Sequence, residues 1–168
     1  MTGEQKEEFL GALHSAMLSI TEARYFESER GYQGALIAQL EIRLAGLSFA
    51  DKPIIEQEYQ KTFPAHGITI RPDILLHVPF ERGQTQNRCD GNFVALELKL
   101  RASAKDADDD FSSLSQLALK LSYPLTIFLN IDSSETYFKR CPAHIAKQTV
   151  CCAVRLEESQ VHLLVDAR

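Results

Sequence analysis

Residues Asn92–Arg101 read NFVALELKLR, an apolar run interrupted by one acid and one base two positions apart. Phe93, Ala95, Glu97 and Lys99 alternate with Val94, Leu96, Leu98 and Leu100, which is the period of a strand. One face of that strand is aliphatic and must be buried. The other begins apolar and ends by presenting Glu97 and Lys99 side by side. Upstream, Ile70–Leu76 (IRPDILL) is a second apolar run with Asp73 near its start. A carboxylate on one strand, followed by a carboxylate and an ammonium on the next, suits a divalent metal and a phosphate.

The flanking sequence supplies helices and further strands. Glu4 to Phe26 is amphipathic, with Phe9, Leu10, Leu13, Met17 and Ile20 at helical spacing. Glu29 to Gly46 gives a second helix whose stripe is Tyr32, Leu36, Ile37, Leu40 and Leu44, with Gly31 as a break or kink and Gly46 as a stop. Pro53 opens a strand over Ile54–Lys61, and Pro64–Gly67 is a turn. A strand over Ile68–Val78 follows, with Arg71-Pro72 inside it or at its edge and a bulge or kink expected beside Asp73 because Pro72 lacks the ladder donor. Pro79–Gly91 reads as a polar hairpin loop. The acidic run Asp106, Asp108, Asp109, Asp110 leads into a helix ending near Ser122, where carboxylates suit the positive helix end and read as a cap. Leu125–Ile131 (LTIFLNI) has the continuous apolarity of a strand covered on both faces. A short helix within Glu135–Gln148 and a hairpin of Val150–Leu156 and Gln160–Val165 complete the chain. The expectation is an α/β sandwich with a mixed sheet, an extra N-terminal helix and a C-terminal hairpin, forming one domain over residues 1–168.

With 168 residues, the chain is long enough to bury one sizeable core. It has no apolar run long enough to span a membrane and no N-terminal signal pattern, so a cytoplasmic protein without membrane partners is expected. A net charge of −5 argues against coating nucleic acid non-specifically. Arg71, Arg82, Arg88, Lys99, Arg101 and Lys105 nevertheless fall in the same third of the chain as Asp73 and Glu97, which allows a local phosphate-binding face. Cys89, Cys141, Cys151 and Cys152 lack CxxC spacing. A zinc site of Cys141, His144 and Cys151 or Cys152 is conceivable, but reduced, partly buried thiols fit better.

Phosphodiester hydrolysis needs a metal to neutralise the phosphate and acidify the attacking water. Magnesium takes carboxylate and carbonyl oxygens and keeps positions open for water and substrate. Asp73 and Glu97 can supply two ligands and the Leu98 carbonyl a third, while Lys99 can orient the water or stabilise charge developing on the phosphate. Glu-x-Lys alone is a weak signal, and on an exposed strand it would be a solvated ion pair. The apolar strand that carries it, the Asp on the preceding strand, and the helix and apolar strand that follow give it weight.

Pro72-Asp73 followed by Glu97-Leu98-Lys99 resembles the signature of the PD-(D/E)XK nuclease superfamily, the restriction-endonuclease-like fold. The resemblance spans about residues 29–131, where the α-β-β-β-α-β order matches that family's core. It implies Asp73, Glu97 and the Leu98 carbonyl as ligands of Mg2+ (or Mn2+) and Lys99 as the catalytic lysine. Many members place a glutamate on the helix before the sheet. Here Glu29 is the first choice, with Gln33 one turn on, and Glu41 is the rival, since the two lie about 120° apart around the helix. Members also often aim a polar residue at the site from the following helix, for which Gln116 and Lys120 are candidates, Lys120 also being readable as a solvated lysine. His77 shares a strand face with Asp73 and is a further accessory candidate, or else a strand histidine bonded to a neighbour. The expected activity is metal-dependent DNA endonuclease in a restriction, repair or mobile-element setting, with DNA as partner and a homodimer or larger complex for duplex cutting. The alternative is a catalytically silent member of the fold serving as a binding or assembly module.

Overall fold

Asn92–Leu100, the alternating stretch, is the strand β3 at the centre of a mixed sheet. The computed structural model describes residues 1–47, 53–79 and 89–168. In chain order the other strands are β1 (Ile54–Gln57), β2 (Ile74–His77), β4 (Leu125–Ile131), β5 (Thr149–Glu157) and β6 (Gln160–Asp166). They lie side by side in sequence order. The pairs β1–β2, β2–β3 and β5–β6 are antiparallel, whereas β3–β4 and β4–β5 are parallel. The helices are α1 (Gly3–Leu18), α2 (Glu29–Leu44), the single turn α3 (Phe63–His66) and α4 (Ala104–Leu121). The chain is therefore α/β with a six-stranded mixed sheet.

Strand alternation sorts the core into two layers. Val94, Leu96 and Leu98 of β3 pack with Phe9, Leu13, Met17, Leu36 and Leu40 of α1 and α2. Ala95 faces the opposite way, into a cluster with Phe111, Leu114 and Leu117 of α4. Glu97 and Lys99 follow Ala95 on this α4 face. Strand β4 is buried along its whole length, as its continuous apolarity required. Cys151 and Cys152 point to opposite layers as buried thiols, and no described cysteine is in a disulfide.

Several boundaries differ from the periodic reading, each for a local reason. The first helix stops at Leu18, where Ser19 Oγ donates to the Ser15 carbonyl and accepts from Arg43. A separate 3-10 turn, Ala23–Glu27, then brings Phe26 edge-on to Tyr32. Gly31 does not break α2; it sits in the first turn, and its N–H is capped by Ser28 Oγ at 3.1 Å. Strand β1 ends at Gln57 because Glu58 adopts a left-handed φ of 48°. The expected strand Ile68–Val78 contracts to Ile74–His77, and its irregularity falls between Leu76 and His77 rather than beside Asp73. Gly91 has φ 85°, and a Cβ there would meet Val78 Cβ at 2.9 Å, so only glycine fits this close crossing. The expected loop Pro79–Gly91 lies mostly outside the described residues, with Arg82 and Arg88 in it. The link from β4 to β5 contains a 3-10 turn, Phe138–Arg140, instead of an α-helix, since Tyr137 is left-handed (φ 56°) and Pro142 follows. The C-terminal hairpin forms in unbroken register.

The Tyr32 hydroxyl is buried without a hydrogen-bond partner. Removing an unsatisfied buried hydroxyl relieves a desolvation cost. Tyr32→Phe should therefore raise unfolding stability by about 1 kcal/mol, read from urea denaturation midpoints at constant slope. A loss of that size would mean the hydroxyl is satisfied in solution.

Candidate functional site

The β2–β3 ladder stops at the pair Ile74↔Leu96, while β3 runs on to Leu100. Continued register would set Pro72 against Leu98. Proline has no N–H to give the Leu98 carbonyl. The exposed edge of β3 is met by side chains instead. Asp73 Oδ2 accepts the Leu98 N–H at 2.7 Å, and Glu29 Oε2 accepts the Leu100 N–H at 3.2 Å. In an extended strand the N–H and C=O of one residue project to the same edge, so the Leu98 carbonyl points toward Asp73 too. Gln33, buried one turn beyond Glu29, donates from Nε2 to the Asp73 carbonyl at 2.8 Å and fixes the backbone that carries the carboxylate.

Glu97 is 6% exposed, against the Asp73 carboxyl and main-chain N–H. Burial, then the charges of Asp73 and Asp110, push its carboxyl well above the usual range. Lys99 Nζ stands 3.9 Å from Glu29 Oε2 and 3.8 Å from Asp110 Oδ1. Burial works against its charge, but Asp110, Glu29, Asp73 and Glu97 together outweigh that and raise its pKa. Lys99 is therefore a fixed ammonium and not a proton acceptor at neutral pH.

Asp110 is the member that the sequence reading missed. With its acidic neighbours it reads as part of a helix cap. Within that run the cap is Ser103 with Asp106, which exchange side-chain and main-chain hydrogen bonds. Asp108 and Asp109 pair outward with Arg140 and Lys105. Asp110 lies one turn after Asp106 and next to buried Phe111, on the flank of α4 that turns toward the sheet. Its Oδ2 is buried without a partner. Burial, partly countered by Lys99 and reinforced by Asp73 and Glu29, raises its carboxyl to about 7. Helical periodicity from Phe111, Leu114 and Leu117 was the available signal, since it places Asp110 beside the buried stripe.

The remaining candidates lie elsewhere. Glu41 is at the far end of α2, beside a groove of about 510 Å³ formed with Leu44, Pro53 and Ile54, so Glu29 is the helix carboxylate at the cluster. His77 sits at the other end of β2 from Asp73 and bonds Glu56 Oε2 at 2.7 Å. Gln116 and Lys120 follow Asp110 by about 9 and 15 Å along the axis of α4. They approach the end where Asn92 Nδ2 donates to the Leu121 carbonyl, so neither is brought to the cluster. Of the basic residues, Arg71 pairs with Glu58, Arg101 with Asp132 and Lys105 with Asp109. Exposed pairs of this kind are weak and exchange readily for phosphates.

The described residues thus bring together Glu29, Asp73, Glu97 and Asp110 around Lys99. Among them no three His, Cys, Asp or Glu side chains already converge as a metal-binding group. Asp73 and Glu29 are each turned to a strand N–H, and Lys99 occupies the space between Glu29 and Asp110. No described helix is long and apolar enough to cross a membrane. No family model, curated protein or solved structure matches the chain.

Asp110 holds its proton more tightly folded than unfolded. Its contribution to stability is complete below the ordinary aspartate value of 3.8 and is lost as pH rises through about 7. Asp110→Asn removes that titration. The stability of the variant relative to the parent should rise across this window and level off above it, in chelator-treated protein unfolded by urea at several pH values. A difference that does not vary with pH would show that Asp110 titrates normally.

Proposed function

We propose that this chain is a divalent-cation-dependent nuclease of the PD-(D/E)XK kind that hydrolyses phosphodiester bonds in DNA. The observation that carries the reading is the meeting of Asp73 with Glu97 at the end of β3, with Lys99 on the same face and Glu29 reaching in from α2. In support, the major elements run α2-β1-β2-β3-α4-β4, the order expected of the restriction-endonuclease-like core, with β2 antiparallel to both β1 and β3 and β4 parallel to β3.

The chemistry of the donor set fits a hard cation. Two carboxyls in contact, one of them buried and reluctant to ionise, and a buried carboxyl oxygen without a partner are oxygen donors that Lys99 alone does not hold ionised and that a divalent cation would. Asp73, Glu97 and the Leu98 carbonyl would hold magnesium or manganese, with Asp110 and Glu29 close by. When bound, the metal neutralises the phosphate and lowers the pKa of the attacking water. Lys99 supplies a positive charge to the water or to the phosphate oxygens as negative charge develops there. Glu29 and Asp110 hold the ammonium in place from two sides. Gln33 keeps the Asp73 main chain fixed, so the carboxylate would be held ready for a metal. Loss of exposed pairs at Arg71 and Arg101 would free charge for DNA, and cutting of a duplex by so small a chain calls for a second copy or a larger complex.

One observation favours a second reading, a silent member of the fold acting as a binding or assembly module. The Asp73 and Glu29 carboxylates are already spent on strand N–H groups, which is a structural use that needs no metal.

A panel of plasmid, linear duplex, single-stranded and branched DNA and RNA, with magnesium or manganese, separates the two. Metal-dependent cutting of DNA is expected, falling at least about 100-fold in Asp73→Ala and in Lys99→Ala. Equal cutting by parent and variants would trace to a contaminant and sink the nuclease reading. Absence of cutting together with no magnesium-induced rise in melting temperature would leave the silent module.

A further inference from the structure

The two edges of the sheet differ in how they are protected. Strand β1 is four residues long, is entered through Pro53 and carries Glu56, all devices that discourage another strand from pairing. Strand β6 is seven residues long, contains no proline, lysine or arginine, and pairs with β5 without a bulge. It ends the sheet. Its Leu164 and Val165 are 50% and 49% exposed. A long, regular, apolar edge of this kind is a template for a further strand.

We infer that β6 pairs antiparallel with β6 of a second copy across a two-fold axis at Leu164. The sequence of the edge is self-complementary in that register. Leu164 meets Leu164, and Leu163 meets Val165 on the α1 face. His162 meets Asp166 on the α4 face, so an imidazole opposes a carboxylate in both halves of the interface. Within one copy Asp166 Oδ2 accepts from the Thr136 hydroxyl at 2.5 Å and His162 stands 3.9 Å from Glu157, so the pairing across the two-fold axis adds a second partner to each. The apolar positions continue a groove of about 430 Å³ that runs beside the strand, where Leu163 and Val165 lie against Leu10, Leu13 and Met17 of α1. The second copy adds its own Leu163 and Val165 to the open side of that groove. The interface is closed and isologous, so pairing stops at the dimer. The outcome is one continuous sheet of two six-stranded halves, with both acidic clusters on the same side of it. The inference is independent of what the acidic cluster does.

Sedimentation and light scattering of the full chain over a range of concentrations test it. The parent should be a dimer at high concentration, and Leu164→Lys should be a monomer with unchanged circular dichroism. His162→Glu, which sets two acids opposite each other, should weaken dimerisation by about tenfold, and His162→Glu with Asp166→Lys should restore it. A parent that stays monomeric, a dimer indifferent to Leu164→Lys, open-ended oligomers, or a charge swap that fails to rescue would each overturn the two-fold pairing.

Discussion

The constraint on which the site depends is a backbone one. Strand β3 outlasts its neighbour β2, and the N–H groups of Leu98 and Leu100 lie beyond the last ladder pair. Buried backbone donors must find acceptors. The acceptors here are two carboxylates from distant parts of the chain, Asp73 from the start of β2 and Glu29 from the first turn of α2. Satisfying the strand end therefore gathers acidic groups at one point. Glu97 and Lys99 are delivered to the same point by strand alternation alone. The position of α2 is in turn set by Ser28, which caps its first turn, and by Tyr32 and Leu36, which are fully buried against the sheet.

Such a gathering is electrostatically unfavourable by itself. Four carboxyls share one ammonium, and burial strips Glu97 and Asp110 of much of the water that would screen them. The protein relieves part of the repulsion by protonation, at Glu97 and at Asp110, whose carboxyls are both raised. A fold shaped only for stability would place apolar residues at such positions. Local departures of this kind, in a sheet otherwise packed with aliphatic side chains, are where binding or chemistry is expected.

How much of this was legible in the sequence follows from where the physics is local. The strands β3 and β4 and the final hairpin are read correctly from period and apolarity because their partners demand little of them beyond burial. Strands β1 and β2 are shorter than their sequence pattern predicts. Their ends are set by a left-handed Glu58 and by irregular pairings of Glu58 with Asp73 and Lys61 with Ile70, which no side-chain pattern announces. The choice between Glu29 and Glu41 needed the tilt of α2 over β3, a tertiary quantity. Asp110 was hidden by its neighbours, because a run of acids at a helix start has a sufficient local explanation in capping. Only the phase of the buried stripe of α4 separates it from Asp106, Asp108 and Asp109.

Pro72 shows why a short motif can carry more than its length suggests. A proline there predicts a bulge or kink in its own strand, but its effect is felt on the neighbouring strand. A residue with an N–H at that position could continue the ladder and engage the Leu98 carbonyl. Proline cannot, so the ladder closes at Ile74 and the strand edge at Leu98 stays open to side chains. Asp73, next in sequence, is then close enough to take the Leu98 N–H and to touch Glu97. The Pro-Asp pair thus does two linked things: it ends one strand and supplies the carboxylate for the opening that its ending creates. Glu97 and Lys99 gain their setting from that opening, because β3 presents them past the point where β2 would otherwise cover the edge. The four residues act as one arrangement whose parts are set by strand termination, and separating Pro72 from Asp73 by a single inserted residue would undo it without altering any side chain.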